Sequence, residues 1–198
     1  MRIAVATRNR EKLKEIRRLF EGPELEQNIE LPSLEDFPGA PEVEETGNTF
    51  EENSVKKALS LMDFTGLPAI ADDSGLEVHA LKGAPGVRSA RYAGERATDK
   101  DNVEKLLREM ARIPDEKRGA RFICVIALAY PDGRLMTFAG TVEGKIGKEP
   151  KGKGGFGYDP VFYPEGYERT FAEMTPAEKD ALSHRAEALR KLREHLKG

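Results

Sequence analysis

The period of the hydrophobic positions changes several times along the chain, and each change marks an element. Ile3-Ala4-Val5-Ala6 is a short apolar run and reads as a strand. Leu13, Ile16, Leu19 and Phe20 recur at helical spacing, so a helix follows, capped by Thr7 or Asn9 and stopped by Gly22-Pro23. Residues 29–34 suit a second strand. Residues 36–47 are acidic and carry Pro38, Gly39, Pro41 and Gly47, which is the composition of a loop. Thr49 with Glu52 three residues on has the capping-box pattern and starts a helix to Phe64, before Gly66. Pro68-Ala69-Ile70-Ala71 reads as a buried strand and residues 76–81 as another. Residues 85–97 are loop-rich. Val103, Leu106, Leu107 and Met110 give residues 99–111 a helical face. Residues 120–130 and 134–142 are long strands joined by a Pro131-Asp132-Gly133 hairpin. A Gly- and Lys-rich loop spans 144–157, a short strand 161–163, and a single last helix runs from Pro176 to Leu196. Strands and helices intermix around an antiparallel pair, so the fold class is α/β with a mixed sheet.

At 198 residues the chain suits one domain, or one domain with two lobes. Lys+Arg 32 nearly cancels Asp+Glu 35, for a net charge of -3. That balance argues against a protein held on nucleic acid by its overall field, yet it leaves room for a local basic pocket. The charged share, 34%, exceeds the roughly 25% usual in soluble domains and fits a surface of ion-pair networks. Cys124, the only cysteine, lies in an apolar run, so it reads as a small buried hydrophobe. The cysteine count excludes an intrachain disulfide and a Cys₄ or Cys₂His₂ zinc site. No apolar run approaches the ~20 residues of a membrane span, and the start is too short in apolar residues for a signal peptide. A cytoplasmic protein with no membrane partner is expected.

Two glycine patterns mislead. Gly152-Lys153-Gly154-Gly155-Phe156-Gly157 fits G-x-G-x-x-G, but Tyr158-Asp159-Pro160 follows where a dinucleotide fold needs a helix. Residues 147–154 nearly fit a P-loop, but Gly154 stands where the magnesium-binding hydroxyl belongs.

Five segments carry candidate chemistry, each with a plainer reading beside it. Thr7, Arg8, Asn9, Arg10, Glu11 and Lys12 sit where a strand meets a helix N-terminus, a place that favours an anion. An ordinary capped helix is the alternative. Asp72 and Asp73 end a buried strand before Ser74, and adjacent strand residues face opposite ways, so they would divide their roles. A solvated Asp-Ser-Gly turn is the alternative. Glu45 precedes a helix carrying Lys56 and Lys57, a combination that could join Mg²⁺ to phosphates, or could simply cap the helix. Phe156 between glycines could offer a ring to a purine, or pack into the core. Lys179, His184 and Arg185 lie near a helix start, as base-reading donors or as a solvated end.

Six ordered motifs then stand out. They are Thr7-x-Asn9-x-x-Lys12, Glu45-Thr46-Gly47-x-Thr49-Phe50-x-Glu52-Asn53, Ala71-Asp72-Asp73-Ser74-Gly75-Leu76, Gly83-x-Pro85-Gly86-Val87-x-Ser89-Ala90-Arg91, Gly154-Gly155-Phe156-Gly157-Tyr158-Asp159-Pro160 and Ser183-His184-Arg185. Together they resemble the inosine triphosphate pyrophosphatase family, the XTP/dITP diphosphatases, from about residue 2 to about residue 196. The resemblance implies an elongated two-lobed fold around a nucleotide cleft, a homodimer, Mg²⁺, and hydrolysis of ITP, dITP or XTP to monophosphate and pyrophosphate. It implies that residues 7–12 and Lys57 hold the triphosphate, and that Glu45 and Asp73 hold Mg²⁺. Asp73 would accept the proton of the attacking water, with Asp72 in support. Ser74 would touch substrate, and Phe156 would stack on the base beside Gly157, Tyr158 and Asp159. Lys179, His184 and Arg185 would line the base. The sequence departs from many relatives in Ala186 and in the basic Arg8 and Arg10. Maf-like pyrophosphatases are the nearest rival, and the motifs at 156–160 and 183–185 argue against them. A non-catalytic nucleotide-binding regulator is a second rival, and the retained Glu45 and Asp73 argue against it.

Overall fold

A computed structural model describes residues 1–20 and 29–197, and the expected helix stop at Gly22-Pro23 lies outside them. The chain forms β1 (Ala4–Val5), α1 (Arg10–Phe20), α2 (Phe50–Thr65), β2 (Ala69–Val78) and α3 (Asp99–Glu109). It continues through β3 (Gly119–Ala129), β4 (Leu135–Ile146), β5 (Phe162–Pro164), α4 (Pro176–Asp180) and α5 (His184–Lys197). The strands lie in sequence order, β1-β2-β3-β4-β5. β1 runs parallel to β2, with Ala4 opposite Ala69, and β5 runs antiparallel to β4, with Phe162 opposite Ile146. The sheet is therefore mixed, as expected.

The residues divide into two compact units. Residues 1–73, 124–140 and 185–198 make the first. There the two-residue strand period separates large from small side chains. Ile3, Val5, Ile70, Cys124, Ile126 and Leu128 pack with Leu13, Ile16 and Phe20 of α1 and with Ala188, Leu189 and Leu192 of α5. The alternate positions, Ala4, Ala6, Ala69, Ala71, Ala127 and Ala129, pack with Ala58 and Leu61 of α2. Alanine on that face lets the α2 backbone come close. Helices thus cover both faces, and each fully buried Leu or Ile contributes about 1.5–3 kcal/mol.

Residues 74–123 and 141–184 make the second unit. Its core joins Leu76, Val78, Val103, Leu106, Phe122, Ile146, Phe162 and Phe171. Phe122 meets Phe162 edge to face at 4.7 Å. The buried Arg118 guanidinium donates to the carbonyls of Met110 and Ile146, both at 2.7 Å, which satisfies groups a core would otherwise strand.

Four expectations change. Residues 29–34 form only isolated bridges, Glu30 to Arg2 and Ser33 to Val5. The expected pair of strands around residues 72–75 is one continuous strand, β2, because burial and ion pairing override the turn preference of Asp, Ser and Gly. β4 extends to Ile146 rather than stopping at residue 142. The single last helix is two, α4 and α5, broken at 181–183, where the N–H groups of Leu182 and Ser183 both turn back to the Lys179 carbonyl.

Candidate active site

The β1–α1 junction is capped by its own side chains. Asn9 Oδ1 accepts the N–H groups of Glu11 (2.9 Å) and Lys12 (3.1 Å), and Thr7 Oγ1 accepts that of Asn9 (3.2 Å). Arg8 and Arg10 are exposed near Glu42 and Glu35, and Glu11 pairs with Lys14 at 2.7 Å. Lys12 differs from its basic neighbours. It is largely covered and turns to Asp72, 3.0 Å away.

Strand alternation sends the adjacent aspartates to opposite faces of β2. Asp72 meets Lys12 of α1 and Arg185 of α5, the latter at 3.1 Å. Arg185 also pairs with Glu15. Burial pushes the Asp72 carboxyl up, but Lys12 and Arg185 outweigh it and hold it well below the usual carboxylate range. Asp73 faces α2. Asn53 Nδ2 donates to Asp73 Oδ2 at 3.0 Å, and Lys57 Nζ lies 3.8 Å from Asp73 Oδ1. Lys57 also donates to Glu45 Oε1 (2.5 Å) and to the Asp72 carbonyl (2.7 Å). Burial raises the Asp73 carboxyl above its ordinary value, against the pull of Lys57 and Lys12. For Lys57 burial works downward, yet Asp72, Asp73 and Glu45 prevail and raise it. The lysine therefore stays charged at neutral pH, while Asp73 is a stronger base than an exposed aspartate.

Ser74 follows half-buried on β2, in the second unit. The same unit holds residues 156–159, Lys179 and His184. Asp159 Oδ2 accepts the Phe156 N–H (2.9 Å) and the Lys179 ammonium (2.5 Å). Lys179 Nζ also sits 4.8 Å from the centre of the Phe156 ring, a cation–π contact. Phe156 is itself half-buried. Gly155 has φ +69°, and a Cβ there would collide with the Asp159 carboxylate, so the turn requires glycine. The Gly157 N–H donates to Asp99 at 2.7 Å. Tyr158 is buried, with its hydroxyl donating to the Ser89 carbonyl at 2.9 Å. The His184 ring stacks on Phe122 at 4.8 Å.

The structure thus brings Lys12, Glu45, Lys57, Asp72, Asp73 and Arg185 into the first unit's charged cluster, and Phe156, Asp159 and Lys179 into the second unit's aromatic turn. Arg185 was expected at a base. Here it is 1% exposed, with its terminal nitrogens on Glu15 and Asp72. Sequence reasoning gave no role to Glu15 or Asn53. Glu15 shares the buried side of α1 with Leu13 and Ile16, and Asn53 lies one turn before Lys57 on α2. A polar residue in an apolar helical register was the available signal for each.

Among the described residues no group of three His, Cys, Asp or Glu is placed to hold a metal. Mg²⁺ needs fewer from the protein. It usually takes one or two carboxylates and completes its shell with water and substrate phosphates. Glu45 and Asp73, both beside Lys57, fit that donor set.

A carboxylate pair bridged by a lysine, beside a basic strand–helix junction, is the arrangement of a site for an anionic substrate. The chain belongs to the Ham1 family, whose model matches residues 3–195. It is 51% identical to the dITP/XTP pyrophosphatase of Desulforamulus reducens, over 99% of this chain and 96% of that protein. It is 52% identical to the dITP/XTP pyrophosphatase of Geobacter sulfurreducens, over 98% and 96%. A HAM1 protein from Coxiella burnetii superposes with a TM-score of 0.89 at 45% identity, covering 100% of this chain and 98% of that one. The Staphylococcus aureus Ham1 protein gives 0.88 at 38% identity, covering 100% and 99%. The resemblance read from the six motifs is borne out, as is the mixed sheet with flanking helices.

Proposed function

We propose that this chain is a Mg²⁺-dependent hydrolase of acid anhydrides that converts dITP, ITP and XTP to the monophosphate and pyrophosphate. The observation that carries the reading is the Glu45–Lys57–Asp73 cluster, in a chain about half identical to dITP/XTP pyrophosphatases. Triphosphate hydrolysis needs charge neutralisation and a positioned water more than covalent chemistry. Lys12 and Lys57 supply fixed positive charge, and residues 7–12 supply donors for the phosphates. Glu45 and Asp73 would hold Mg²⁺, which when bound neutralises charge on the phosphate oxygens. Asp73 takes the proton of the attacking water, a role its raised basicity suits. Asp72 remains ionised and holds Lys12 and Arg185 in place.

In the second unit Phe156 offers its ring to the purine. Asp159 and Lys179 fix that ring, Tyr158 anchors the turn, and Ser74 and Gly157 complete the substrate contacts. His184 lines the base end, while Arg185 braces Asp72 from the first unit. A 6-oxo purine accepts hydrogen bonds where adenine donates, so a donor lining the base would disfavour ATP. An unpaired buried donor costs about 1–3 kcal/mol. A cytoplasmic homodimer without nucleic-acid or membrane partners completes the reading. Among the described residues no helix is long and apolar enough to cross a membrane.

The test is Asp73→Asn with dITP and Mg²⁺. Turnover should fall about 10²–10⁴-fold, the usual contribution of a general base, while dITP still binds. Wild-type turnover that survives EDTA, or full activity in the variant, would overturn the assignment.

A further inference from the structure

Asn53 is fully buried, and both ends of its amide are engaged. Its Oδ1 accepts the Gly47 N–H at 2.8 Å, and its Nδ2 donates to Asp73 Oδ2 at 3.0 Å. One side chain on α2 therefore ties the backbone of the loop that carries Glu45 to the strand residue Asp73. The fit at the loop is close. A Cβ at Gly47 would lie 2.6 Å from Asn53 Oδ1 and 2.8 Å from the Glu52 Cβ. One helical turn later Lys57 makes a parallel tie, from Glu45 Oε1 to the Asp72 carbonyl. The two differ in kind. Lys57 is a cation that a phosphate can draw away, whereas the Asn53 amide is neutral, buried and directional. Its bond also selects one Asp73 oxygen, leaving Oδ1 as the oxygen nearer Lys57.

We infer that Asn53 is a positioning residue that sets the placement of Glu45 relative to Asp73, and so preforms the cation site and orients Asp73 toward water. The inference rests on the reading of Glu45 and Asp73 as the metal-holding pair. It assigns Asn53 no contact with substrate. Residues that orient metal ligands typically change metal affinity or activity 10–100-fold when removed.

The experiment compares wild type, Asn53→Ala and Gly47→Ala. Gly47→Ala leaves every polar side chain in place and presses its Cβ on the Asn53 amide and the Glu52 Cβ, so it serves if Asn53→Ala fails to fold. Three quantities are measured: kcat and KM for dITP across a Mg²⁺ series, Mn²⁺ binding by the loss of the free-ion EPR signal, and thermal unfolding. Both variants should show kcat lowered about 10–100-fold, KM for dITP within about threefold of wild type, and Mn²⁺ affinity weakened by about tenfold or more. A purely structural role would lower the unfolding temperature yet leave Mn²⁺ affinity and the Mg²⁺ half-saturation unchanged, and that result would overturn the inference. Folded variants with wild-type kcat would also overturn it. A wild type that releases no pyrophosphate from dITP would remove the functional reading first and the inference with it.

Discussion

Arg185 is the residue whose environment says most. Its guanidinium is buried between Glu15 and Asp72, and Asp72 also holds Lys12. A buried ion pair is weak evidence for net stability, but removing one partner leaves the others uncompensated. Arg185→Ala should therefore destabilise the fold by about 3–5 kcal/mol, read as a lower urea midpoint. Unchanged stability, with a narrowed preference for ITP over ATP, would instead restore Arg185 to the base. Cys124 makes a second, simpler case. Burial is the main force lifting its thiol, up to about 12, so the thiolate is scarce at neutral pH. The native protein should not react with Ellman's reagent at pH 8, and one thiol should appear in urea. The apolar run around Cys124 made that legible in the sequence. Glu15 was not legible, because its counter-ion comes from residue 185, and no local pattern links positions so far apart.

At the scale of elements, the strands and helices whose hydrophobic period was clean were legible. α1, α2, α3 and the β3–β4 hairpin stand within a few residues of expectation. The Tyr130 N–H closes that hairpin on the Arg134 carbonyl at 2.9 Å. β2 was misread where its composition pointed to a turn. Asp72, Asp73, Ser74 and Gly75 are strand residues here because Lys12, Arg185, Asn53 and Lys57 compensate the buried carboxylates. The break between α4 and α5 had no Gly or Pro to announce it. Its flanks are held by tertiary contacts, Lys179 on Asp159 and His184 on Phe122. Likewise the glycine-rich segment that suggested a phosphate loop is bound down, with the N–H groups of Lys151 and Gly154 on the carbonyls of Pro160 and Ala172. Gly155→Ala should expose that arrangement. The strained φ and the collision with Asp159 should cost about 1–3 kcal/mol and raise KM for dITP more than they lower kcat. An unchanged KM would mean that the Phe156 turn does not hold the base.

At the scale of the whole molecule, stability should follow the Asp72 charge. Its folded pKa is depressed, so the stability it contributes is present above about pH 4, the unfolded value, and is lost as pH falls further. The urea midpoint of wild type should drop between pH 5 and pH 3, and Asp72→Asn should be less stable at pH 7 with a shallower acid dependence. Equal slopes would show that other carboxylates govern acid unfolding. The family was legible because its motifs run through the entire chain, and 51% identity over 196 residues agrees with that reading. The chemistry of the reaction is the remaining step. The most direct measurement offers the purified protein dITP, ITP, XTP, GTP and ATP in parallel with Mg²⁺, and resolves the products. Monophosphate and pyrophosphate from dITP, ITP and XTP, with GTP and ATP nearly untouched, is the predicted result. Orthophosphate release, or equal use of all five nucleotides, would contradict it.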